Sequence, residues 1–157
     1  MLKCSKQVSL YLSLGIATVF FLVCIVGLFV LPTLTEMLID LPDNVGDRDS
    51  ITEGGRVLVL AVAYGVVAVF MLADGLLFAL LLRVKRGLVF SAATVSLIRG
   101  VAWCCFLLCV LFSVLGRYFQ LAFLVAFLAA FLGLCLRVVK NVIEEATAIK
   151  AEQDLTV

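Results

Sequence analysis

The chain has no histidine. That excludes a histidine general base, His-ligated haem and the usual His-containing metal sites. Net charge is also scarce, a formal +1, so nothing draws the chain in bulk to nucleic acid. The six cysteines, at 4, 24, 104, 105, 109 and 135, never form Cys-x-x-Cys. A membrane thiol oxidoreductase needs a pair spaced to exchange a disulfide. Five of the six lie in apolar runs, where a cysteine serves as a small hydrophobe. No catalytic, cofactor-binding or metal-ligating set is expected.

What is abundant is apolar sequence. Hydrophobic residues make up 65% of the chain and mean hydropathy is +1.27. Soluble domains stand nearer half, and here the excess gathers into long runs. The runs predict spans at about 8–31, 57–82, 91–115 and 119–136, in one domain covering residues 1–157. The first follows Lys3 and Lys6, like a signal peptide. It is too long for a signal h-region and no A-x-A site follows it, so an uncleaved helix is expected. Gly116-Arg117-Tyr118 joins the last two spans and makes them antiparallel neighbours. The expected fold is all-α, an integral membrane four-helix bundle with an amphipathic cytoplasmic C-terminal helix.

Charge orients the spans. Lys3, Lys6, Arg83, Lys85, Arg86, Arg99, Arg137, Lys140 and Lys150 fall on one side, and Arg48, Arg56 and Arg117 on the other. The positive-inside rule places the first set, with both termini, in the cytoplasm.

Outside the spans, the outer loop 32–56 carries Leu34, Met37, Leu38 and Leu41 at helical spacing, which predicts a short amphipathic helix at the outer interface. The acidic stretch 43–49 does not fit an EF-hand and reads as a solvated loop. In the basic connection, Gly87 is expected to make the turn, Ser91 to cap the third helix, and the cations to meet anionic headgroups. The tail 137–157 continues the fourth span. It has an apolar stripe (Val139, Val142, Ile143, Ala146, Ile149) and a Lys140–Glu144 pair on its wet side. The stripe can dock on the bundle, a second copy, the membrane or another protein.

Asp74 is the sole acid within a span. A charge in hydrocarbon costs on the order of 2.5–3.5 kcal/mol by insertion scales, so Asp74 is expected to face protein or water. Arg99 lies at matching depth, roughly 12–13 Å from the inner interface, on the next helix. An Asp74–Arg99 pair is expected, either fixing how the two helices pack or tuning Asp74 as a proton or cation site; failing both, Arg99 snorkels to the inner headgroups. Ala122, Ala126 and Ala130, overlapped by Ala129-x-x-x-Gly133, form a small-residue face for close helix approach, within the bundle or between copies. Trp103 lies several residues from either end of its span.

Two short segments suggest kinship. Gly87-Leu88-Val89-Phe90-Ser91 leads into Thr94-Val95-Ser96-Leu97-Ile98-Arg99, and the chain ends Glu152-Gln153-Asp154-Leu155-Thr156-Val157. With the four-span layout, these resemble a bacterial family of small membrane proteins, domain of unknown function 2975. The chain departs from it in its cysteine-rich third span. The resemblance implies a bacterial inner-membrane protein, and a gene often paired with one for a very small helix-turn-helix regulator. A regulatory or anchoring role for such a partner, through Glu152, Asp154 and Thr156, is therefore the first expectation. A small transporter or ion-conducting oligomer using Asp74 is the second. An immunity protein, meeting a membrane-active toxin at the acidic loop, is a third. An enzyme is not expected: intramembrane aspartyl proteolysis wants two cooperating acids. The partners expected are the bilayer, that regulator and, open at this point, further copies of the chain, with no direct contact to nucleic acid.

Overall fold

The computed structural model describes residues 2–40, 53–87 and 91–155. They form four helices: α1 (Leu2–Asp40), α2 (Glu53–Lys85), α3 (Ala92–Leu115) and α4 (Gln120–Leu155). Each holds an apolar stretch long enough to cross a bilayer, within Val8–Ile39, Gly54–Lys85, Ala92–Leu115 and Gln120–Lys150. Helices are the natural outcome, because hydrocarbon offers the backbone no hydrogen-bond partner. The protein is a multi-pass membrane protein whose four long apolar helices pack as a bundle.

The helices pack in chain order, α1 on α2, α2 on α3 and α3 on α4. Among the described residues the α1 and α4 backbones make no close approach. Where α1 ends and α2 begins, Val59, Phe119 and Ala122 form a buried cluster joined by Ile39, Phe112, Leu115 and Tyr118. At the other end the Lys85 ammonium lies 4.7 Å over the Tyr11 ring, so the start of α1 is level with the end of α2. That end carries Arg83, Lys85 and Arg86 and is the basic end of the bundle.

The turns obey local rules. Gly87 takes φ +75°, a left-handed conformation that suits glycine. The Ser91 side chain accepts from the Thr94 N–H at 3.3 Å and caps α3. At the opposite turn, a Cβ on Gly116 would come within 2.8 Å of the Phe123 ring, so the α3–α4 corner closes only around a bare glycine.

Two expectations need revision. The outer-interface helix is not a separate element, because α1 runs unbroken through Pro32 to Asp40. Proline supplies no N–H to the carbonyl four residues back, that of Leu28. The Tyr64 hydroxyl of α2 reaches that oxygen at 3.5 Å, a long bond that partly replaces the missing one. Leu41 and the stretch 43–49 lie outside the described residues. Second, the Lys140–Glu144 pair is only partly on the wet side. The tail continues the fourth span as expected, within the single helix α4, and Lys140 and Glu144 bond at 2.7 Å, but the Lys140 side chain is 16% exposed and that of Glu144 52%. Val139, Val142 and Ile149 of the apolar stripe are exposed, as are Glu145 and Lys150, while Ile143 and Ala146 are half-buried.

The small-residue face of α4 serves the bundle. Ala122, Ala126 and Gly133 are buried, and a Cβ on Gly133 would lie 3.3 Å from the Cys105 Cβ and the Phe106 ring. α4 therefore meets α3 along this stripe.

Candidate functional site

Asp74 and Arg99 sit at comparable depth but on opposite sides of the α2–α3 seam. Leu76 meets Gly100 across that seam, where an added Cβ would be 3.0 Å from Leu76 Cδ1. Helical geometry places residue 74 about 200° around α2 from residue 76, so Asp74 looks toward α1. Arg99 lies two turns before Phe106, on the same stripe of α3, which looks toward α4. No ion pair joins Asp74 to Arg99. Arg99 instead reaches Glu144 of α4 at 3.9 Å, a loose contact between half-exposed side chains.

Asp74 is half-buried on the wall between two cavities. The larger, about 450 Å³, is lined by Ser13, Phe20 and Cys24 of α1, Phe70 of α2 and Val101 of α3. The smaller, about 260 Å³, lies toward Thr18, Phe21 and Phe78. The Ser13 hydroxyl donates to the Ser9 carbonyl at 3.0 Å, and that of Thr18 to the Leu14 carbonyl at 2.9 Å. With those protons committed to their own helix, both hydroxyls offer lone pairs to the cavities. Carboxyl oxygens and hydroxyl lone pairs among aromatic rings suit a ligand that donates hydrogen bonds or carries positive charge.

The second polar locus lies at the basic end of α3 and α4. Arg99, Ala102, Trp103 and Phe106 of α3 and Arg137 and Lys140 of α4 enclose about 240 Å³. The Arg137 guanidinium lies 5.8 Å over the Phe106 ring, and Trp103 meets that ring edge-on at 6.3 Å. Arg137 and Glu144 belong to this locus, yet sequence reasoning assigned them no site. The readable signal was the stripe Arg99–Phe106, which marks a face of α3 turned to the helix joined by the shortest turn.

Among the described residues, Cys24, Cys104, Cys105, Cys109 and Cys135 are free, and no three His, Cys, Asp or Glu side chains gather as for a metal. Glu152 lies in the last turns of α4; the Asp154 side chain and all of Thr156 are outside the described residues.

No curated protein and no solved structure matches the chain. Residues 47–157 match the profile of a protein family of unknown function, DUF2975. This match takes in α2, α3 and α4 and more than half of the chain, and the protein belongs to the DUF2975 family.

Proposed function

We propose that the protein is a non-enzymatic membrane partner that holds a cytoplasmic protein at the bilayer. One observation carries the reading: α4 is a single helix from Gln120 to Leu155. A continuous helix extends the order of the bundle to residues 152–155, so whatever docks there is held at a fixed place. The charge rule puts this end in the cytoplasm, and the resemblance points to a small helix-turn-helix regulator as occupant. Co-expression with that regulator tests it. The full chain should retain the regulator in the membrane fraction, and the Asp154→Ala/Thr156→Ala variant should retain at least about tenfold less while inserting normally. Equal retention by both would show that the end of the tail is not the docking surface.

Asp74, without an ion-pair partner among the described residues, supports a second reading, a site for a proton or a hydrophobic monovalent cation serving a small transporter or conducting oligomer. Tetraphenylphosphonium should bind the purified chain and fail to bind Asp74→Asn. Equal binding by the two would exclude Asp74 as the cation site.

A further inference from the structure

We infer that the cleft between α3 and α4 at the basic end is a binding site for the headgroup of an anionic phospholipid, held by Arg99, Arg137 and Lys140. Three cations line this cavity of about 240 Å³, and no acid is among the lining residues. The acid that reaches the cluster is Glu144, already bonded to Lys140 at 2.7 Å and touching Arg99 at 3.9 Å. Three positive groups against one negative leave an excess of positive charge. Among the described residues Arg137 has no carboxylate partner, and its contact is the face of Phe106. A guanidinium held over a ring keeps its fork free, and that fork matches phosphate oxygens.

Depth places the cluster where lipid phosphates are found. The rise along α3 from Leu115 back to Arg99 is about 24 Å, and along α4 from Gln120 to Lys140 about 30 Å. Against a hydrocarbon core of about 30 Å, Lys140 stands at the boundary, and Arg99 lies about 6 Å inside it, within reach of the headgroups through its long side chain. The rest of the lining is Ala102, Trp103 and Phe106, with Trp103 63% exposed toward the surroundings of the bundle. The exposed indole, mid-way along α3, offers an acyl chain an apolar wall. Free inorganic phosphate shares the headgroup's chemistry but gains nothing from that wall. A zwitterionic phospholipid would bring its own cation into an already positive cleft.

Native mass spectrometry of the full chain in mild detergent, titrated with phosphatidylglycerol, phosphatidylcholine or inorganic phosphate, tests the site. Phosphatidylglycerol should bind at least about tenfold more tightly than phosphatidylcholine, and phosphate should not compete. Removing one cation, as in Arg137→Gln or Lys140→Gln, should weaken phosphatidylglycerol about fivefold. Glu144→Gln, which removes the opposing charge, should strengthen it, so the test survives a poorly folding arginine variant. Arg117→Gln, at the opposite end of α3, should leave the preference unchanged. Equal binding of the two lipids, or a preference that survives the Arg137 and Lys140 changes, would overturn the site. Competition by millimolar phosphate would show an anion site that is not for lipid.

Discussion

Replacing Asp74 by leucine should make the bundle more stable, by up to about 3 kcal/mol. The direction follows from what the side chain touches. Asp74 is half-buried between cavities lined mainly by Ala17, Phe20, Phe21, Phe70 and Phe78, and among the described residues no cation pairs with it. The folded protein thus carries the desolvation of a carboxyl group with little return, and leucine would fill the same wall with favourable contacts. A buried ion pair with Arg99 would give the opposite sign, because deleting one partner strands the other at a cost of about 3–5 kcal/mol. Unfolding by denaturant in detergent micelles reads the sign directly. A double-mutant cycle on Asp74 and Arg99 should give a coupling energy near zero. A destabilised Asp74→Leu, or a coupling above about 1 kcal/mol, would mean that Asp74 has a partner after all. If the acid serves a cation site, the stabilised variant should also lose tetraphenylphosphonium binding, the trade expected where a functional residue is kept at a cost in stability.

The span count was legible because hydropathy and helix length are local quantities, and so were the turn at Gly87 and the cap at Ser91, which depend on a few adjacent residues. The face that Asp74 and Arg99 each present was not. Rotation of a helix about its axis is set by contacts such as Leu76 on Gly100 and Gly133 on Phe106, which no single segment encodes. The inward turn of Lys140 was hidden for a related reason: spacing gives its bond to Glu144 but not the rotation of α4 against α3. The Tyr64 hydroxyl that meets the Leu28 carbonyl freed by Pro32 lies 36 residues away in sequence and across an interface.

The α3–α4 seam should be the most sensitive to added volume. Gly133 is buried, and even a methyl group there would stand 3.3 Å from both the Cys105 Cβ and the Phe106 ring. Gly133→Ala asks those neighbours to yield by a few tenths of an ångström, and Phe106 can yield only by moving the ring on which Arg137 rests. Gly133→Leu has no such accommodation and must push the helices apart. Overpacking costs typically about 1–3 kcal/mol, and at a seam that also holds Ala122 and Ala126 in contact the upper end applies. Unfolding midpoints in micelles should therefore fall in the order wild type, Gly133→Ala, Gly133→Leu. Gly75→Leu, on α2 where nothing lies within 4 Å of the added Cβ, is the control for added bulk and should change little. Because the cation cleft is built across the same seam, Gly133→Leu should also lose the lipid preference while Gly75→Leu keeps it. If the two leucine variants lost equal stability, the close approach of α4 to α3 at Gly133 would be wrong, and the cleft that depends on it would fall with it.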